Sequence, residues 1–367
     1  MTQKQFRPDI PTDPDPRFVE FIRKSNSLEG QKLAAVIPRE YMQPSVIRGL
    51  VGLAVSLTLY VGSLVGIAYV GQWYLVVPLI WLAGLGGWGL HCIGHDCGHG
   101  SFSRNRRLNF AIGHVALLPL LYPFHAWRHE HNTHHAHTNN LDMDVDWRPI
   151  SKEVYRRMPL RYRVVYFSTR TWALGAGSIN YWLKSGFNPS YYPKRDMRRD
   201  VRRSICFVVV VGGGYLCALT YFAGWQGLLV YFAAPWFAIH VWFSTTTMMH
   251  HSAEDIPYLP NRHWTRNASR LLVTTDYLYP RWLLFCTHYI SLHTAHHVAP
   301  SVPHYHLQKA QAALILQYPD MVRVEKASLG RVWNIARKCL FYDPVSGLYA
   351  TRLLQSESTP TTTAGAA

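Results

Sequence analysis

The chain has 367 residues, of which 49% are apolar, 14% aromatic and only 16% charged, and its formal net charge is +16. This composition excludes a chain that is disordered throughout, a collagen-like repeat and a disulfide scaffold, and the length is ample for a sizeable core. The basic excess alone fits either a nucleic-acid binder or a membrane protein. The positions of the charges along the chain distinguish these two classes.

Lysine and arginine are absent from two long stretches, 49–103 and 204–250, which contain a single acidic residue, Asp96. Each stretch holds two apolar runs of about 20 residues, the length that spans a bilayer. The link inside each pair is only one or two residues long, so we expect two hairpins. The predicted spans are 49–70, 73–91, 204–223 and 225–249.

All basic residues lie outside the predicted spans, which orients the chain. Lysine and arginine favour the cytoplasmic side, so we expect both termini and the segment 104–203 to be cytoplasmic. The basic excess then marks orientation, and no nucleic-acid-binding motif accompanies it. The sequence predicts an all-α integral membrane protein with four transmembrane helices in two hairpins and a helical cytoplasmic cap. The expected divisions are a cytoplasmic N-terminal segment (1–44), a membrane domain (45–340) and a partly disordered C-terminal tail (341–367).

Eight of the 20 histidines form three short clusters with helical spacing. The clusters are His95 and His99; His131, His134 and His135; and His293, His296 and His297. Side chains at i, i+3 and i+4 share one helix face, so the last two clusters predict two identical three-pronged faces. Eight imidazoles exceed the four ligands of one zinc ion and suit two metals with open positions. Iron that handles dioxygen fits such a site, and copper, zinc and manganese also fit by ligand type.

The three clusters lie on the side that the charges assign to the cytoplasm, although the orientation was derived without the histidines. We therefore expect the cap to carry a di-metal site. The stretch 84–89 matches the pattern GxGxxG, but it lies inside an apolar span and does not follow a strand. Close packing of helices through small residues is the expected role of these glycines.

The residue patterns of the three clusters resemble the histidine motifs of the membrane fatty acid desaturases. Residues 95–102 read HDCGHGSF, residues 127–135 contain WR followed by HNTHH, and residues 293–305 begin with HTAHH and end in PHY. The resemblance covers about 45–310 and is greatest to the bacterial and cyanobacterial acyl-lipid branch, with its Δ12 and ω3 enzymes. It implies an oxygen-dependent desaturase that introduces a cis double bond into a long, lipid-linked acyl chain.

The resemblance also implies the site residues and the partners. It assigns the eight clustered histidines as ligands of two ferrous ions, with dioxygen as co-substrate. A further histidine ligand is expected before the third cluster, with His251 favoured over His288 and His250 less favoured. Asp96 and Asp146 are candidates for a ligand or for orienting one, and Asp142 and Asp144 are expected to orient one or to be solvated. A ferredoxin or similar acidic carrier is the expected electron donor, docked by basic residues of 148–203, and the bacterial inner or thylakoid membrane is the expected location.

Three other functions fit parts of the pattern. A carotenoid ketolase or hydroxylase, or an alkane hydroxylase, uses a similar eight-histidine site and retains oxygen in its product. A metal transporter should carry its ligands in the middle of the spans, whereas these lie at span ends. A non-catalytic lipid-binding membrane protein would leave the histidines without a role.

Overall fold

A computed structural model describes residues 11–171 and 175–350, which are predominantly helical. The helices are α1 (Pro16–Ser27), α2 (Val46–Tyr69), α3 (Trp73–His99), α4 (Arg106–Ala116), α5 (Phe124–His137), α6 (Lys152–Arg157), α7 (Leu160–Arg170), α8 (Ala176–Tyr181), α9 (Arg195–Phe207), α10 (Gly213–Leu228), α11 (Ala234–His251), α12 (Arg266–Leu271), α13 (Arg281–Cys286), α14 (His293–Val298), α15 (Leu307–Gln317) and α16 (Leu329–Lys338). Two short strands, β1 (Thr275–Leu278) and β2 (Arg323–Lys326), pair in parallel.

Among the described residues, three helices are long and apolar enough to cross a membrane: Val46–Tyr69, Trp73–His99 and the continuous stretch Arg195–His251. The first two correspond to the predicted spans 49–70 and 73–91. The second helix, α3, ends later than the predicted span, because it continues without a break through the first histidine cluster. The span and the first cluster are therefore one helix, which fixes the depth of these histidines relative to the membrane.

The helices α2 and α3 pack closely through small residues. A Cβ atom added at Gly86 would lie 2.5 Å from the backbone nitrogen of Tyr60, and one added at Gly84 would lie 2.5 Å from Cβ of Ala238. The glycine-rich stretch 84–89 thus lies where α3 meets both α2 and α11. These glycines therefore pack helices together, which is the role predicted for this stretch.

The third apolar stretch is not one straight helix. Gly224 has φ 63° and ψ −168°, a conformation outside the helical region that glycine adopts without a steric penalty. The hydroxyl of Tyr215 lies 3.4 Å from the carbonyl oxygen of Tyr231, although sixteen residues of straight helix would separate them by about 24 Å. The chain therefore folds back at Gly224, where the sequence predicted the turn between 204–223 and 225–249.

The segments before and after the predicted membrane domain pack onto it. Phe18, Phe21 and Leu28 share a core with Ala295 and Val298 of the third histidine cluster. On the C-terminal side, Tyr342 and Tyr349 share a core with Leu141 and Tyr258. Both flanking segments thus share buried side chains with the predicted membrane domain, and 351–367 of the predicted tail lies outside the described residues.

Candidate metal centre

The three histidine clusters lie on three different helices. The first is at the end of α3, the second occupies the last two turns of α5, and the third is nearly the whole of α14. The short helix α14 is held by side chains from outside it. Asp276 accepts a hydrogen bond from the backbone of Thr294 at 2.8 Å, and Gln311 accepts one from the backbone of Ala295 at 3.0 Å. Burial raises the pKa of Asp276 to about 7, and Gln311 also donates to its carboxylate.

The histidine nitrogens converge in two groups. Within each group, one nitrogen of every residue lies within 4.8 Å of the others. The five-histidine group contains His95, His99, His131, His135 and His296, and the three-histidine group contains His134, His251 and His297. The Nε2 atoms of His135 and His296 are 2.9 Å apart, and those of His134 and His251 are 3.2 Å apart. Two nitrogens that bind one ion at about 2.1 Å are separated by about 3 Å, so these spacings suit metal ligation.

Each HxxHH cluster divides between the two groups instead of presenting the single three-pronged face that its spacing predicted. His134 and His135 belong to different groups, as do His296 and His297. The reason is geometric, because successive residues on an α-helix point about 100° apart. Two adjacent histidines on α5 or α14 therefore serve two neighbouring positions, and the repeated motif suits two ions side by side.

Three histidines have their Nδ1 atoms turned away from the groups and tied to the protein. His134 donates to Asp144 Oδ1 at 2.9 Å, His297 to Thr138 Oγ1 at 3.3 Å and His293 to the carbonyl of Ile290 at 3.2 Å. A carboxylate or carbonyl oxygen only accepts, and Thr138 donates its own hydroxyl hydrogen to the carbonyl of His134. The proton is accordingly on Nδ1, which leaves the lone pair of Nε2 available to a metal.

The charge state of the histidines also fits a metal. Burial lowers the pKa of His131, His135 and His296 well below its ordinary value, and the neighbouring imidazoles lower it further. These rings are neutral near pH 7, the form that binds metal. Within the described ranges, the buried Nε2 atoms of His95 and His297 have no hydrogen-bond partner. Buried polar atoms without partners are costly, and an ion at the centre of each group would satisfy them.

The histidines considered as additional ligands differ in whether they reach one of the two groups. His251 belongs to the three-histidine group, and the ring centre of His293 lies 4.7 Å from that of His297 beside the same group. His288 lies in neither group, because its Nε2 contacts Ser56 Oγ at 2.6 Å. Of His250, His251 and His288, only His251 belongs to one of the two groups.

The acidic candidates differ from one another in their contacts. Asp96 Oδ2 accepts from both the backbone N–H and Nδ1 of His304, at 3.0 and 2.8 Å. Its distance to Nδ1 of His95 is 3.9 Å, longer than a hydrogen bond. Asp146 contacts no clustered histidine through a hydrogen bond, and burial raises its pKa to about 6. Asp144, two residues earlier, is the carboxylate that orients His134.

Comparison with known proteins agrees with this histidine geometry. A model of the fatty acid desaturase family matches residues 71–326. The chain belongs to the fatty acid desaturase family. It is 32% identical over 328 residues to the sn-1 oleoyl-lipid 12-desaturase of Picosynechococcus sp., covering 89% of this chain and 94% of that protein. It is 31% identical to the Synechocystis sp. protein of the same name, covering 92% and 93%, respectively.

A plant relative shares the same region. The chloroplastic omega-6 fatty acid desaturase of Spinacia oleracea is 34% identical over 294 residues, which cover 79% of this chain and 64% of that protein. These relatives confirm the predicted function as a lipid desaturase and hence as an oxidoreductase. They also confirm the predicted resemblance to the acyl-lipid branch of the family.

The desaturase has a mainly apolar cavity against both histidine groups. Trp88, Phe243 and Ile290 contribute apolar walls, and His95 and His251 reach the cavity from the two groups. The apolar lining of this cavity is compatible with hydrocarbon beside the two histidine groups.

The two histidine groups of the desaturase differ in exposure. The three-histidine group is fully buried, whereas His99, His131 and His135 of the five-histidine group are partly exposed. Beside His99 lies a surface groove bordered by three arginines, Arg104, Arg106 and Arg128. Arg128 donates to the carbonyl of Gly98 at 3.0 Å, within the first histidine cluster. The groove thus connects a basic surface to one edge of the site.

Proposed function

We propose that this desaturase inserts a cis double bond at the Δ12 position of oleoyl chains in membrane lipids. The observation that carries the proposal is the convergence of two histidine groups on one mainly apolar cavity. The relatives that align over nine-tenths of the chain are named for the 12-desaturation of an oleoyl lipid, which supports both the regiochemistry and the lipid-linked substrate.

Two iron ions are the proposed metals. The five-histidine group would hold one ion, and His134, His251 and His297, with His293 beside them, would hold the other. Neutral nitrogen ligands with open positions suit iron that reacts with dioxygen. When bound, the iron pair supplies the oxidising power to remove hydrogen from an unactivated methylene, which no side chain has. The protein contributes fixed imidazole tautomers and an apolar cavity that holds the chain beside the ions.

The overall reaction requires an external reductant. One hydrogen leaves each of two adjacent methylenes, and dioxygen is reduced to two waters with two added electrons and two protons. We propose a small acidic carrier of the ferredoxin type as the donor. The groove of Arg104, Arg106 and Arg128 supports this proposal, because opposite charges steer association and the groove adjoins the exposed edge of the five-histidine group. This surface lies outside 148–203, the segment whose basic residues were expected to dock the carrier.

We further propose four membrane spans with both termini and the metal centre on the cytoplasmic side. The fold-back at Gly224 supports the division of Arg195–His251 into two spans. The distribution of lysine and arginine supports the orientation. Cyanobacterial and chloroplast relatives support a bacterial inner or thylakoid membrane. Reporter fusions after Gly71, after Gly224 and at the C-terminus would test this, since only the first two should report the non-cytoplasmic side.

Expression in a host with only saturated and monounsaturated lipids, supplied with a ferredoxin system, tests the proposed reaction. We expect a new Δ12 diene in the lipid fraction. His134→Ala should abolish it, whereas the matched control His263→Ala should retain it, because His263 lies outside both groups. A diene at another position would overturn the Δ12 assignment. Retention of labelled oxygen in the product would favour a hydroxylase or ketolase.

A further inference from the structure

Helix α7 exposes apolar side chains and is anchored to the protein through Tyr166. Leu160, Val164 and Phe167 form a stripe at positions i, i+4 and i+7, and Val164 is 58% exposed. The hydroxyl of Tyr166 donates to the carbonyl of Leu340 at 2.6 Å. A contiguous apolar stripe on an otherwise polar cap marks a contact with lipid or with another protein.

The segment after α7 reaches the membrane-spanning part of α11. Gly175, with φ +79°, lies so close that an added Cβ would be 3.1 Å from the carbonyl carbon of His240. Ser178 Oγ lies 2.8 Å from Nδ1 of the same histidine. Sixteen residues separate His240 from the turn at Gly224, about 24 Å of helix, which is shorter than the roughly 30 Å hydrocarbon core. The start of α8 is therefore level with the edge of the hydrocarbon.

A second short helix, α13, reaches a similar depth on the other side of the site. Just after it, His288 Nε2 contacts Ser56 Oγ of α2 at 2.6 Å. Ser56 is thirteen residues from the end of α2 at Tyr69, about 20 Å of helix and again within the hydrocarbon core. The side chains of Trp282 and Phe285 on α13 are 62% and 50% exposed.

The charges around both helices favour a lipid surface as the occupant. Basic residues flank the apolar side chains: Lys152, Arg156, Arg157, Arg161 and Arg163 around α7, and Arg281 at the start of α13. An apolar face edged by lysine and arginine is typical of helices that lie in the interface of a membrane with anionic lipids. The residues that follow both helices contact α11 and α2 at the level of the leaflet, which favours lipid over a soluble partner.

We propose that α7 and α13 insert their apolar side chains into the cytoplasmic leaflet and that lipid acyl chains reach the cavity laterally between them. Ser178 and Tyr181, which follow α7, line the cavity on one side, and Ile290, which follows α13, lines it on another. Insertion places these walls among the acyl chains of the leaflet. The inference rests on the four-span topology proposed above and assigns a lipid-inserted surface to each side of the site.

An environment-sensitive fluorophore on single cysteines tests the insertion. The background is the full chain with Cys206, Cys217 and Cys286 replaced by serine, reconstituted in vesicles of phosphatidylcholine and phosphatidylglycerol. Labels are placed at Val164→Cys and Phe285→Cys, with Leu316→Cys as the matched control. Leu316 is an apolar residue on α15 that is 86% exposed, and α15 packs in the cap instead of against a span.

At Val164 and Phe285 we expect a blue-shifted emission, quenching by lipids that carry a nitroxide near the glycerol, and loss of quenching by aqueous iodide. Leu316 should show the reverse. Probes at Val164 and Phe285 that respond like the control would overturn the proposal. Shielding from both quenchers would also overturn it, because it indicates a second protein at this surface. The measurement does not depend on catalysis, so the fluorescence result can be interpreted even if no Δ12 product forms.

Discussion

Asp144 accepts a hydrogen bond from His134 Nδ1 at 2.9 Å, and the two side chains are almost completely buried. Burial alone would lower the pKa of His134, but the charge and hydrogen bond of Asp144 raise it above its ordinary value. The second carboxylate oxygen accepts from the backbone N–H of Asn139 at 2.7 Å. The carboxylate is thus held from two directions and in turn fixes the orientation of one imidazole of the three-histidine group.

Asp144→Asn tests this orientation. The amide keeps the volume and one acceptor but removes the negative charge that increases the basicity of His134. Loss of such a partner typically costs about 10- to 100-fold in metal affinity or activity. We expect iron content after dialysis and the rate of diene formation to fall together by about that factor.

Asp142→Asn is the matched control for this substitution. It makes the same chemical change two residues away, where the carboxylate accepts from the backbone N–H of Asn261 at 3.1 Å. Iron retention and activity should stay near those of the unmodified enzyme. Equal losses in both variants would contradict a specific role for Asp144.

The histidine clusters show which part of the site the sequence predicts. Residue spacing is a local property, so the three clusters could be predicted from the sequence. The partition of His134 and His135 between two groups follows from the 100° step of a helix, yet assigning each histidine to a group requires the packing of α3, α5 and α14. That packing depends on contacts between residues far apart in the chain.

Other features could not be predicted because they depend on tertiary contacts. Asp142, Asp144 and Asp146 look alike in the sequence, and only the path of the chain after α5 brings Asp144 to His134. His304 binds Asp96 across more than 200 residues, a contact that no local pattern predicts.

His251→Ala and His288→Ala distinguish the two candidates for the additional ligand. His251 belongs to the three-histidine group, so its loss should reduce bound iron to about one ion per chain, held by the complete five-histidine group. His288→Ala should retain both ions, because its nitrogen faces Ser56. Metal analysis of the purified variants provides the measurement, and iron loss in the His288 variant alone would reverse the assignment.

The pair of Asp96 and His304 should stabilise the segment that follows the third cluster. Asp96→Ala removes a buried carboxylate that accepts two hydrogen bonds, and unsatisfied buried donors of this kind cost about 3 kcal/mol in total. We expect a lower melting temperature for the iron-free protein in detergent. A double-mutant cycle with His304→Ala provides the check, since additive losses would show that the two residues act independently.

The glycines of α3 provide a test of the helix packing that is independent of the metals. A Cβ added at Gly86 would lie 2.5 Å from the backbone nitrogen of Tyr60. A backbone atom cannot move aside as the end of a flexible side chain can. Gly86→Ala should therefore separate α2 from α3 and lower the free energy of unfolding by about 1–3 kcal/mol, as overpacking usually does.

Gly62→Ala is the matched control, because no atom lies within 4 Å of the added carbon and alanine favours the helix. The melting temperature of the iron-free protein should fall for the first variant and stay level or rise for the second. Equal melting temperatures would mean that α2 and α3 are not in close contact at Gly86, and would remove the basis for the hairpin that positions the first histidine cluster.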